Sequence, residues 1–311
     1  LRKACRVRQL SAGLQGPPES HQWRFGPDGR SIRRCRQACA ICCRSGLAST
    51  RVCGRNRIDI RDRHLKSAPD WIWKQPIAHR GLHNAGAGVI ENTLPAFAAA
   101  GAHNYAIELD VLPSADGEAM VFHDGDLMRL CGDVRNVSAV HAGELQNLAI
   151  LNRTARIPTL SAVLELIDGR VPLLIEIKSL SKNTGALEER VESLLARYAG
   201  PAAVQSFNPL SMQWFAKRAP NIPRGQLSMR TTHDEAPGLT QFHRFALTNL
   251  MSATISKPDF IGYEASSIGD AAPQIARRLG LPLLAWTVRS AEQWRVISAR
   301  ADNLIFEGFL A

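Results

Sequence analysis

Two histidines, a set of acids and two basic residues are the part of this chain equipped for chemistry. In Tyr105–Asp124, YAIELDVLPSADGEAMVFHD, residues 105–112 alternate like a strand. Side chains of a strand point to opposite faces with period two, so Glu108 and Asp110 share one face while Ile107, Leu109 and Val111 share the other. A hairpin signal follows at Asp116-Gly117, and its return strand, Ala119–Phe122, carries His123-Asp124 back toward the same end. PLLIEIK at 172–178 repeats the pattern, with Glu176 and Lys178 on one face and Ile175 and Ile177 on the other. Upstream, PIAHRG at 76–81 is a brief strand that ends in His79-Arg80-Gly81.

Glu108, Asp110 and Glu176 are an all-oxygen donor set. Such a set suits one hard divalent cation, Mg²⁺ or Ca²⁺, rather than zinc, for which thiolate and imidazole are the usual ligands. The competing reading is a network of barrel ion pairs in which Lys178 neutralises the acids, but packing three carboxylates together without a metal is costly in mutual repulsion. Arg80 and Lys178 supply the positive field an anionic phosphate needs beside such an ion, Arg as a planar fork and Lys as a point charge. Displacing an alcohol from phosphorus also needs a base for the nucleophile's proton and an acid for the leaving oxygen. Histidine suits both near neutral pH. A lone histidine at a strand end is more often structural; His79 beside Arg80 and His123 beside Asp124, both aimed at the same mouth, favour catalytic roles.

These residues need a scaffold that brings successive strand ends together. From Trp71 onward short apolar strands alternate with helical stretches. Strands are expected at 76–81, 105–112, 172–178, 202–206, 224–228, 260–264, 283–288 and 303–306, with helices between them, among them one after Thr93 as N-cap and one opened by Pro158-Thr159-Leu160. Eight strands alternating with helices over about 235 residues predict a (β/α)8 TIM barrel, whose chemistry gathers at the C-terminal ends of its strands. Residues 125–156 read as a small, polar, irregular insertion after strand 2. No Gly-x-Gly-x-x-Gly or Walker-type loop follows any strand, so a nucleotide-binding reading lacks its phosphate cradle. No eighth helix follows the last strand, and residues 60–75 are placed at that gap or at the bottom of the barrel.

Charge separates this barrel, 71–311, from a different N-terminal segment. The chain carries a net +10, but residues 1–70 hold 16 Lys+Arg against 5 Asp+Glu, a net of +11, and the remaining 241 residues sum to about −1. Six of the seven cysteines also precede residue 54. Residues 1–70 have no apolar period and read as a disordered or artefactual, non-globular extension. Cys35-x3-Cys39-x2-Cys42 has the spacing of an iron–sulfur cluster motif, but no strand precedes it and it reads as coincidence. The N-terminal stretch lacks an apolar core of the secretory kind and no stretch is long enough to span a membrane, so a cytoplasmic location is expected. A nucleic-acid-binding role through the basic segment is the weakest alternative, and no nucleic-acid partner is expected.

His79-Arg80-Gly81, Glu91-Asn92-Thr93, Glu108-x-Asp110, His123-Asp124 and Glu176-x-Lys178, in that order, resemble the glycerophosphodiester phosphodiesterases. Pro158-Thr159-Leu160, Gln205-Ser206-Phe207 and Trp286-Thr287-Val288 agree. The resemblance runs from about Pro76 to the C-terminus. It implies metal-dependent hydrolysis of a small glycerophosphodiester or lysophospholipid-like substrate to an alcohol and glycerol 3-phosphate. By the same resemblance His79 and His123 would be acid and base, Glu108, Asp110 and Glu176 metal ligands, and Arg80 and Lys178 phosphate contacts. Glu91 would be a further ligand or a partner of one, and Phe207 and Trp286 would wall the alcohol portion. A metal-independent phosphatidylinositol-type phospholipase or lyase on the same barrel is the alternative. The departure from the pattern is at strand eight, where many members carry Thr-Asp before a Pro and this chain has Phe306-Glu307-Gly308.

Overall fold

Each short strand carries two alternating faces, and in the folded chain one face meets helices while the other looks into a closed barrel. A computed structural model of the chain describes residues 68–151, 154–179, 184–231 and 240–311. The strands are β1 (Ile77–Ala78), β2 (Ala106–Pro113), β3 (Ala119–Val121), β4 (Leu173–Ile177), β5 (Ala202–Ser206), β6 (Arg224–Ser228), β7 (Phe260–Glu264), β8 (Leu283–Val288) and β9 (Asn303–Phe306). All are parallel to their neighbours except β3, which pairs antiparallel with β2. β1 closes the circle by pairing with β2 at Ile77↔Ala106 and with β9 at Ala78↔Phe306. This is the expected eight-stranded barrel with helices between its strands. The basic cysteine-rich extension, with its Cys35-x3-Cys39-x2-Cys42 spacing, lies outside the described residues. No described helix is long and apolar enough to cross a membrane.

The outward faces form the main core. Ile107, Leu109 and Val111 of β2 and Leu173, Ile175 and Ile177 of β4 are buried with Phe97, Leu160, Val163 and Ile167 from the covering helices. The inward faces are layered. At the lower end Ile77, Ala106, Leu174, Ala203, Phe260, Leu284 and Ile305 pack together. Gly225 makes this layer possible, because a Cβ there would lie 2.1 Å from the Phe260 ring. Two residues further along the same strands the side chains become His79, Glu108, Glu176, Gln205, Trp286 and Glu307. Period two therefore converts an apolar plug into a polar mouth within a single step along each strand.

The floor is sealed by a short helix, Trp71–Lys74, whose Ile72 is fully buried in the lower layer. Asn303 Nδ2 donates to Ile72 O at 2.9 Å and Gln75 O at 2.7 Å, so the last strand holds this turn in place. The closing role expected near residues 60–75 thus falls to 71–75 among the described residues.

The hairpin lies where the sequence places it: antiparallel pairing ends at Pro113↔Ala119, and the loop 114–118 holds Asp116 and Gly117, the latter at φ +81°. The insertion, by contrast, is less polar than its composition implies. Leu127, Leu130, Val137, Val140, Leu145 and Ile150 are buried against Leu112, Met120 and Phe122 as a separate apolar cluster. They come from several separate turns and very short helices, so no single period announces them.

Candidate active site

Glu108, Asp110 and Glu176 converge at the barrel mouth. β2 and β4 place Asp110 beside Glu176 in register, and one carboxylate oxygen from each of the three acids lies within 4.8 Å of the other two. Glu108 and Asp110 are each 1% exposed. Lys178, just past β4, stands with Nζ 3.2 Å from both Asp110 Oδ1 and Glu176 Oε1. Arg80 is held tightly: its amide donates to Glu108 Oε2 at 3.0 Å, its Nη1 to Glu91 Oε1 at 2.7 Å, and its Nε lies 3.4 Å from Asp110 Oδ2. Glu91 thus contacts Arg80 and Arg129, not the acid cluster.

The backbone that aims these groups is unusual. Arg80 takes φ +52° and Gly81 φ +79°. A Cβ on Gly81 would stand 2.8 Å from the Ala96 carbonyl carbon, so the turn after β1 fits against the helix Leu94–Ala102 only with glycine. Thr93 precedes that helix as expected, but its hydroxyl donates to Ile90 O at 2.6 Å instead of capping the helix.

Electrostatics within the cluster are strained. Burial, followed by the charges of Asp110 and Glu176, drives the Glu108 carboxyl well above the usual carboxylate range. Burial also raises Glu176, to about 7, despite Lys178 beside it. For Asp110 burial acts upward too, but Lys178, His123 and Arg80 outweigh it and hold the group near 2. The protein's own cations therefore compensate one acid fully and leave the other two short of positive charge. Among the described residues Asp110 Oδ1 is buried without a well-aligned hydrogen bond. A compact all-oxygen set with excess negative charge fits a hard divalent cation.

The histidines flank this cluster, each with a carboxylate on Nδ1. His79 Nδ1 lies 2.6 Å from Glu307 Oε2, and its Nε2 faces Glu108 Oε2 at 4.0 Å. His123 Nδ1 lies 2.6 Å from Asp124 Oδ1. Each carboxylate is in turn gripped by an arginine: Arg129 Nε to Asp124 Oδ2 at 2.6 Å, and Arg289 Nε to Glu307 Oε1 at 2.9 Å. Burial pushes both histidines below their ordinary value; the Glu307 hydrogen bond opposes this at His79, and the charge of Asp110 opposes it at His123. A carboxylate on Nδ1 leaves Nε2 as the nitrogen able to exchange a proton with a ligand.

A cavity of about 180 Å³ opens at the cluster, lined by both histidines, Arg80, Lys178 and the three acids, together with Gln205, Phe207 and Trp286. Phe207 and Trp286 meet edge to face at 5.5 Å and form an aromatic wall. Every candidate site residue read from the sequence except Glu91 lines this cavity, and Glu91 contacts Arg80. Four contributors escaped sequence reasoning as site residues: Asn92, Asp124, Arg129 and Glu307. Asn92 and Asp124 stood in quoted motifs and Glu307 marked the departure at strand eight, while Arg129 carried no signal.

Solved structures similar to this chain include a phosphodiesterase of Oleispira antarctica in complex with the product sn-glycerol-3-phosphate. It shares 20% identity over 76% of this chain and 93% of its own, with a TM-score of 0.62. A glycerophosphodiester phosphodiesterase of Thermotoga maritima shares 24% identity over 74% and 92%, with a TM-score of 0.54. At these identities the likeness establishes the barrel. YhdW of Bacillus subtilis, named as a glycerophosphodiester phosphodiesterase, is 31% identical over 223 residues, 69% of this chain and 86% of YhdW. The sequence pattern of the glycerophosphoryl diester phosphodiesterase family matches residues 79–307. The chain belongs to the glycerophosphoryl diester phosphodiesterase family and is a phosphoric diester hydrolase.

Proposed function

We propose that the enzyme hydrolyses a small glycerophosphodiester or lysophospholipid-like substrate to an alcohol and glycerol 3-phosphate, with Mg²⁺ or Ca²⁺ held by Glu108, Asp110 and Glu176. The observation that carries this reading is the approach of those three carboxylates within 4.8 Å between two carboxylate-backed histidines. When bound, the cation supplies Lewis-acid polarisation of a phosphoryl oxygen. Arg80, braced by Glu91, and Lys178 hold the substrate phosphate and stabilise the charge that grows on it. His79 and His123 work through Nε2, one taking the nucleophile's proton and the other returning a proton to the leaving alkoxide. Glu307 and Asp124 keep each ring in the required tautomer. Phe207 and Trp286 pack against the apolar part of the glycerol or alcohol portion.

The test is release of glycerol 3-phosphate from glycerophosphocholine, glycerophosphoethanolamine and a lysophospholipid, with Mg²⁺ or Ca²⁺ and after EDTA. Loss of either histidine is expected to lower kcat about 10²- to 10⁴-fold. Full activity after chelation would replace this mechanism with metal-independent cleavage. No turnover of any substrate, with His79→Ala equal to wild type, would sink it.

A further inference from the structure

Beside the acid cluster stands a second group of donors with different chemistry: His79, His83 and Glu307, each offering a ligand atom within 4.8 Å of the others. His83 Nε2 is buried, has no hydrogen-bond partner among the described residues, and lies 3.7 Å from Glu307 Oε2. His79 Nδ1 approaches that same oxygen at 2.6 Å from the other side. Three side chains from two elements, the turn after β1 and the end of β9, thus surround one point. Two imidazoles and one carboxylate form a borderline-soft set, the donor combination of three-ligand zinc sites, and a poor match for Mg²⁺ or Ca²⁺. Arg289 sits on the opposite oxygen, Oε1, and its side chain is 67% exposed, so it can swing into solvent.

We propose that His79 Nδ1, His83 Nε2 and Glu307 form a zinc-selective site that switches the enzyme off. Its effect on turnover rests on the acid–base role proposed for His79; the binding itself does not. Coordination at Nδ1 replaces the Nδ1–H contact with Glu307, and the neutral ring changes tautomer: Nδ1 gives up its proton and Nε2 takes one up, with no net release. Nε2 can then donate a hydrogen bond but can no longer accept a proton from the reaction. Zinc and the hard cation occupy different ligands, so raising Mg²⁺ or Ca²⁺ does not relieve the inhibition.

The experiment uses the full chain with its cysteines carboxamidomethylated, so that thiolates do not compete for metal. Zn²⁺ affinity is measured against a chromophoric chelator, and Co²⁺ is added as a visible probe of the ligand field. Changing a residue that merely supports a metal ligand costs about 10- to 100-fold in affinity, so losing a ligand in His83→Ala is expected to cost at least about tenfold. His83→Ala should keep wild-type turnover in Mg²⁺ or Ca²⁺ while its inhibition by Zn²⁺ shifts by a similar factor. Glu176→Gln should bind Zn²⁺ as wild type does. Equal Zn²⁺ affinity in wild type and His83→Ala, or zinc binding lost with Glu176 and indifferent to His83, would overturn the site. Zinc bound through His83 with turnover unaffected would overturn the switch and leave only a zinc-binding site.

Discussion

Asn92 and Asp110 are tied by two hydrogen bonds: Asn92 Nδ2 donates to Asp110 Oδ2 at 2.8 Å, and the Asp110 amide donates to Asn92 Oδ1 at 3.3 Å. Asn92 is 2% exposed and takes φ +55°, a left-handed conformation that Asn tolerates better than most residues. It therefore fixes the rotation of the most deeply ionised acid in the cluster. Asn92→Ala is expected to raise the Mg²⁺ or Ca²⁺ concentration for half-maximal activity about 10- to 100-fold, with kcat at saturating metal nearly kept. A metal titration of steady-state rate reads this directly. An unchanged midpoint would show that Asp110 does not need this clamp.

Arg129 spans Glu91 and Asp124 with three hydrogen bonds, although it comes from the insertion. It links the carboxylate behind His123 to the carboxylate behind Arg80. Arg129→Met should lower kcat by less than the ~100-fold minimum expected for losing the acid–base group itself, and should leave KM little altered. The side chain is 47% exposed, so thermal stability should hardly move, and that contrast separates positioning from folding.

Asp116 anchors the β2–β3 loop to the insertion. Its Oδ1 accepts from Ser114 Oγ at 2.6 Å and from the Ala142 amide at 2.9 Å. These bonds favour the charged form and hold the group near 2, below its ordinary 3.8. A folded-state value below the unfolded one gives stability that is complete above 3.8 and is lost as pH falls toward about 2. Asp116→Asn keeps an acceptor but cannot titrate. The stability gap between wild type and this variant should therefore close over that acid window in pH-dependent denaturant melts, and a constant gap would contradict the assignment.

Ile72 plugs the barrel floor through a four-residue helix that is too short to be stable alone. Ile72→Ala should destabilise the barrel by about 2–5 kcal/mol, because the lower layer is closed on every side and cannot collapse into the space. Chains starting at Ala68 should retain wild-type denaturant midpoints, whereas chains starting at Pro76 should lose stability by at least that amount.

Period two made half of the site legible. Glu108, Asp110, Glu176 and Lys178 declared themselves because each strand alternates acids or Lys with Ile, Leu or Val, and because the barrel supplies a common mouth. Alternation gives the face of a strand but not what stands opposite it. Glu307 meets His79 across 228 positions, and only closure of β9 onto β1 brings them together. Arg129 was hidden for another reason: it lies on a four-residue helix within an aperiodic insertion. The insertion's buried cluster was missed on the same ground, since burial there follows from many short turns.

β3 runs along the boundary between two apolar cores. Ala119 and Val121 look into the barrel's outer layer, while Met120 and Phe122 look into the insertion's cluster. His123 is the next residue along. Proteins open in cooperative units of unequal stability, and a small cluster held by short turns belongs to the weaker kind. If His123 acts as proposed, heat should abolish turnover while the barrel is still folded, and cooling should restore it without refolding the barrel.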